Sequence, residues 1–93
     1  MKTPKARILV IEDDDAILNG LQDLLVFNGY VADGADDGGR GLEAARTGGY
    51  DLVLLDVHMP GADGMALARA IRHLPHPPAL VFVTAHAEHA VQA

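Results

Sequence analysis

Carboxylates stand directly behind two short apolar runs. Ile8-Leu9-Val10-Ile11 is stopped by Glu12, Asp13, Asp14 and Asp15, and Leu52-Val53-Leu54-Leu55 is stopped by Asp56. If the two runs are adjacent strands, about 4.8 Å apart, Glu12, Asp13 and Asp56 converge. Three carboxylates in one place repel, and the repulsion is relieved when protons are retained or a divalent cation neutralises the cluster. An all-oxygen donor set with open coordination positions suits a hard ion, Mg²⁺ or Mn²⁺. The same ion draws in and shields an anionic phosphate while a carboxylate attacks phosphorus, which gives an aspartyl phosphate. Asp56 is the best-placed nucleophile, because it stands alone at its strand end ahead of the turn Met59-Pro60-Gly61, whereas Glu12 and Asp13 form a paired unit suited to holding the cation. Thr84, behind Ala79-Leu80-Val81-Phe82-Val83, adds a hydroxyl for a phosphoryl oxygen, and in the loop after Asp56 the backbone carbonyl of His58 matters more than its imidazole. Singly, each acid also reads as a strand-end cap or a solvated turn residue. Their joint placement is what points to chemistry. Asp14 and Asp15 are assigned to the start of the next helix, whose positive end favours them.

The elements that must position these groups follow from periodicity. Unbroken apolar runs of four residues read as strands covered on both faces, the habit of a parallel sheet. Ile17, Leu21, Leu24 and Leu25 recur at helical spacing behind an Asp14 N-cap, and Asn28-Gly29 stops the helix, which spans roughly 15 to 28. Tyr30 to Ala35 is a weaker strand, and Leu42, Ala45 and Arg46 carry a shorter second helix closing at Gly48-Gly49. Met65, Leu67, Ala68 and Ile71 form a third helix opened near Asp63-Gly64, and Pro75, Pro77 and Pro78 forbid its continuation. Ala79 to Val83 is a fourth strand, and the chain from Thr84 through Val91 begins a fourth helix.

Strands alternating with helices imply right-handed crossovers and a doubly wound parallel α/β sheet. Ligands of such sheets bind beyond the carboxyl ends of the strands, where Glu12, Asp13, Asp56 and Thr84 all fall. Composition narrows the function. Ninety-three residues, 49% of them hydrophobic and 22% charged, suit one small ordered domain. A net charge of −6 speaks against a duplex-binding surface, and the absence of cysteine removes disulfides, thiolate metal sites and thiol nucleophiles together. The apolar runs are too short for a membrane span or a secretory signal, so a cytoplasmic protein without membrane contact is expected.

With these residues in view, Ile8 to Asp14, Leu54 to Gly61 with Asp63-Gly64, and Val83-Thr84-Ala85 resemble the receiver domain of two-component response regulators over nearly the whole chain. Asp56 follows Asp13 by 43 positions and Thr84 follows Asp56 by 28, an ordered triple close to the family's arrangement. The resemblance implies a flavodoxin-like fold of strand order 2-1-3-4, with residues 1–93 forming a receiver that lacks the family's final strand and helix. Asp56 would be the phosphoacceptor, charged by the phosphohistidine of a sensor histidine kinase or by small phosphodonors. Asp13 would bind Mg²⁺ directly, Glu12 through water, and the His58 carbonyl would complete the protein's share. Thr84 would be the switch hydroxyl, and the Ala85 N–H would hold a phosphoryl oxygen. Phosphorylation would switch a protein interaction surface that controls an output, transcription being the expected one. Val81 to His86 with Glu88-His89-Ala90 most resembles receivers attached to LytTR-type DNA-binding domains.

Two family positions have no counterpart. The chain has no lysine after Lys5 and stops before the strand that carries the family's lysine and aromatic switch residue. Such a stop would leave strand four as a bare edge, open to a second receiver chain or to domain exchange, and would impair phosphoryl chemistry by removing a stabilising cation. Rival classes remain. A Mg²⁺-dependent aspartyl-nucleophile phosphatase shares the chemistry, but position 58, where a second acid is wanted, is His58. An inactive interaction module is the other alternative. Gly39-Arg40-Gly41-Leu42-Glu43-Ala44 matches a dinucleotide fingerprint but does not follow a first strand. His73-x-x-His76 and His86-x-x-His89 have zinc-like spacing, the first pair broken by Pro75; both are read as surface histidines.

Overall fold

A strand made of Ile8 to Ile11 has no polar side to give to water, so it must lie inside a sheet with both faces covered. In the computed structural model, which describes residues 5–59 and 63–83, that strand is β1 (Arg7–Ile11), and Ile8, Leu9, Val10 and Ile11 are all buried. Chain order then runs α1 (Asp15–Phe27), β2 (Val31–Ala35), α2 (Gly38–Thr47), β3 (Leu52–Asp56), α3 (Gly64–Arg72) and β4 (Ala79–Val83). The strands form one parallel sheet in the order β2-β1-β3-β4. The expected doubly wound, flavodoxin-like arrangement is therefore present.

Alternation along the central strands divides the core in two. Leu9 and Ile11 of β1 and Val53 and Leu55 of β3 pack with Ala45 of α2 and with Leu67, Ala68 and Ile71 of α3. Ile8 and Val10 point the other way, onto Leu18 of α1 with Leu21, Leu25, Leu52 and Leu54 around them. With α1 on one face and α2 and α3 on the other, the crossovers leaving β1 and β3 go to opposite sides, and the crevice of the fold opens between the carboxyl ends of these two strands. Removing a side chain such as fully buried Ile71 would cost about 2–5 kcal/mol, transfer and cavity combined.

Each helix begins at an aspartate. The Asp14 side chain accepts from the Ile17 N–H, Asp37 from the Arg40 N–H, and Asp63 from the N–H groups of Met65 and Ala66, each cap contributing about 1 kcal/mol. Helix α1 ends on Asn28, after which Gly29 takes φ 93°, a left-handed turn that few other residues tolerate. Helix α2 starts at Gly38, earlier than its apolar residues suggest. Its first turn carries no apolar stripe, and Gly41 is there because α2 lies so close to β1 that a Cβ would sit 2.6 Å from Ile11 Cδ1. Among the described residues β4 is the sheet's edge on its side, with Val81 and Phe82 roughly half exposed. The helix expected from Thr84 lies outside the described residues. Among the described residues no helix is long and apolar enough to cross a membrane.

Candidate functional site

Strand register sets the acids before side chains are considered. Ile11 stands opposite Ala35 of β2 and Leu55 of β3, so residues 12 and 56 emerge side by side at the crevice. The Glu12 N–H donates to the Ala35 carbonyl at 3.0 Å, which carries the strand direction one residue past β1. One carboxylate oxygen from each of Glu12, Asp13 and Asp56 lies within 4.8 Å of the others. Glu12 is 1% and Asp56 2% exposed, the two buried charged side chains among the described residues.

Backbone donors hold two of the three. The Asp14 N–H donates to Glu12 Oε2 at 3.0 Å while the Asp14 carboxylate caps α1, so one residue ties the helix start to the site. The His58 N–H donates to Asp56 Oδ1 at 2.9 Å. Two acceptors are left over: Glu12 Oε1 and Asp13 Oδ1 are buried without a hydrogen-bond partner. A buried acceptor without a donor costs about 1–3 kcal/mol, more when it is charged. Burial above all, with Asp13 and Asp56 beside it and against the lowering effect of the Asp14 N–H, raises the Glu12 carboxyl from 4.5 to about 7. The trio is thus short of positive charge, and two of its buried oxygens lack a donor. Those are the features of a donor set for a hard cation, and the residues present fit one.

The comparisons with known proteins agree with this geometry. A family profile described as "Response regulator receiver domain" matches residues 8–93. This chain belongs to the response regulator receiver domain family. It is 40% identical over 82 residues to the transcriptional regulatory protein DltR of Streptococcus agalactiae, an alignment that covers 88% of this chain and 37% of DltR. The receiver therefore spans well under half the length of that relative. Among solved structures, response regulator TrrA of Thermotoga maritima in complex with Mg²⁺-BeF superposes with a TM-score of 0.80 at 35% identity, over 92% of this chain and 75% of that one. TrrA in complex with histidine kinase ThkA gives 0.78 at 38% identity, over 86% and 69%. Family membership also gives the class: the chain is a signalling receiver domain.

Of the residues singled out from the sequence, the receiver brings Glu12, Asp13 and Asp56 together. His58 is adjacent, and its N–H donates to Asp56. Thr84 and Ala85 lie outside the described residues, as do Pro60 and Gly61, though Val83, the residue before Thr84, is in register with Asp56. The segment behind the LytTR comparison is described only as far as Val83. Gly39 and Gly41 fall inside α2, where no glycine loop precedes the helix as a phosphate cradle requires. His73 is the C-cap of α3, while His86 and His89 are outside the described residues. Sequence reasoning missed the Asp14 and His58 N–H donors and the burial of Met59, at 4% exposure, within the core. A backbone donor carries no residue-type signature.

Proposed function

We propose that this receiver accepts a phosphoryl group on Asp56, with Glu12, Asp13, Asp56 itself and the His58 backbone carbonyl holding Mg²⁺, or Mn²⁺ in its place. The observation that carries the reading is the pair of buried oxygens without donors, Glu12 Oε1 and Asp13 Oδ1, within a carboxylate trio less than 5 Å across. A carboxylate oxygen of Asp56 attacks phosphorus, the phosphorus–nitrogen bond of a partner's phosphohistidine breaks, and an acyl phosphate remains on Asp56. When bound, the cation supplies positive charge to the phosphoryl oxygens during transfer. The His58 N–H fixes the rotation of the Asp56 carboxylate, and burial excludes water from the attacking group. Thr84 and the Ala85 N–H receive phosphoryl oxygens, and the shift of Thr84 biases the surface around β4 between two states.

The donor is a sensor histidine kinase, in keeping with the solved TrrA complex with histidine kinase ThkA, and the output is transcription, in keeping with DltR. Such a domain works in the cytoplasm and binds no nucleic acid itself. Incubation with acetyl phosphate and Mg²⁺ followed by intact-mass measurement tests the proposal. A phosphoryl adduct on the wild type that is lost in Asp56→Asn supports it; an adduct that persists in Asp56→Asn refutes it.

A further inference from the structure

Gly64 opens α3, yet neither the helix nor a turn asks for glycine there. Glycine is the poorest helix former after proline, and Gly64 is not among the glycines of positive φ, which among the described residues are Gly29 and Gly49. The Asp63 side chain already caps the helix by accepting from Met65 and Ala66 at 3.0 and 3.1 Å. What excludes a side chain is Val57: a Cβ on residue 64 would lie 2.8 Å from Val57 Cα, 3.0 Å from its carbonyl oxygen and 3.2 Å from its carbonyl carbon. At Gly34 and Gly41 the atoms nearest to such a Cβ belong to the side chains of Gln22, Leu18 and Ile11, whereas at Gly64, itself buried, the three nearest are all backbone atoms of Val57.

The Val57 carbonyl and the His58 N–H belong to one rigid planar peptide group. That N–H donates to Asp56 Oδ1 at 2.9 Å. A push on the Val57 carbonyl is therefore passed directly to the hydrogen bond that orients the Asp56 carboxylate. We infer that Gly64 is a positioning residue for the 56–58 loop: its missing side chain lets the first turn of α3 abut the Val57–His58 peptide and so sets the geometry of the phosphoacceptor and of the cation site. The inference rests on the function proposed above for Asp56 and His58.

Gly64→Ala tests it, with Gly20→Ala as control, since a Cβ at Gly20 meets nothing within 4 Å. Three quantities are read on the full chain: Mn²⁺ affinity, the initial rate of phosphorylation by acetyl phosphate with Mg²⁺, and the position of the His58 amide resonance in chelator. Gly64→Ala is expected to stay folded, to bind Mn²⁺ about tenfold more weakly or worse, to be phosphorylated more slowly, and to show a displaced His58 amide. Gly20→Ala should match the wild type in all three. Wild-type affinity and an unmoved His58 amide in Gly64→Ala overturn the inference, whatever happens to its melting temperature. Should Gly64→Ala melt too low to assay, the same measurements are made with Gly20→Ala added to it; a chain still unfolded there makes residue 64 a folding residue and also overturns the inference. If the wild type neither binds the ion nor accepts phosphate, the proposed function fails by itself, while the His58 amide in chelator still decides the role of Gly64.

Discussion

Replacing Glu12 by Gln in the absence of divalent ions should stabilise this receiver, by an amount that depends on pH in a defined way. The native Glu12 carboxyl titrates near 7 and the unfolded one near 4.5, with burial the main cause. Below about pH 4.5 both states hold the proton and the native state carries no charge penalty at this residue. Between the two values the native chain retains a proton that the unfolded chain has released, so stability falls as pH rises, by up to about 1.4 kcal/mol per pH unit. Above pH 7 the loss is complete, at roughly 3 kcal/mol. Gln cannot ionise, keeps an oxygen to accept the Asp14 N–H, and escapes that loss. The gap between variant and wild type should thus open from near zero at pH 4.5 to roughly 3 kcal/mol at pH 8, a melting difference on the order of 10–20 °C for a chain of this size. Urea unfolding followed by circular dichroism at a series of pH values in EDTA measures it. Saturating Mg²⁺ should close the gap from the wild-type side, since a ligand at one hundred times its dissociation constant stabilises by about 2.7 kcal/mol and Gln offers it less charge. A gap that is the same at pH 5 and pH 8, or a variant less stable than wild type at pH 8 in EDTA, refutes the reasoning.

Other expectations are further from the site. Asp37→Ala removes the acceptor for the Arg40 N–H at the start of α2 and should lower stability by about 1 kcal/mol, read by urea unfolding, with Mg²⁺ affinity unchanged. Tyr50, whose hydroxyl donates to Asp33 at 2.6 Å beneath the Arg7 guanidinium, ionises above the ordinary tyrosine range because burial first and Asp33 second disfavour the phenolate. A spectrophotometric titration should show this, and Asp33→Asn should bring the value part of the way back. Tyr50→Phe should cost about 0.5–1 kcal/mol and leave phosphorylation intact, because Tyr50 lies ahead of β3, at the opposite end of the sheet from Asp56.

What was legible in the sequence was whatever a side chain announces by type. β1 and β3 were readable because strands covered on both faces need unbroken apolar runs, and each apolar run is followed directly by an acid of the trio. Asp14 and Asp63 were readable as helix starts because capping needs a short acceptor at that position. The start of α2 was not, because Gly38, Gly39, Arg40 and Gly41 show no apolar periodicity; the Asp37 cap and the close approach of Gly41 to Ile11 decide it. Adjacency of β1 and β3, on which the site depends, came from the family resemblance, since no residue in either run names its neighbour. At the site the carboxylate trio was anticipated, whereas the N–H groups of Asp14 and His58 were not. Asp63-Gly64 read as a helix-start signal, and its second residue is explained by a backbone contact with Val57 that only the folded chain displays.

The central claim is that Glu12, Asp13 and Asp56 form one cation site in this receiver. A Mn²⁺ titration followed by electron paramagnetic resonance tests it most directly, on the wild type and on Asp13→Asn. The account predicts a single bound ion in the wild type, displaced by Mg²⁺ and lost in Asp13→Asn while the variant stays folded. Undiminished binding in Asp13→Asn would contradict it.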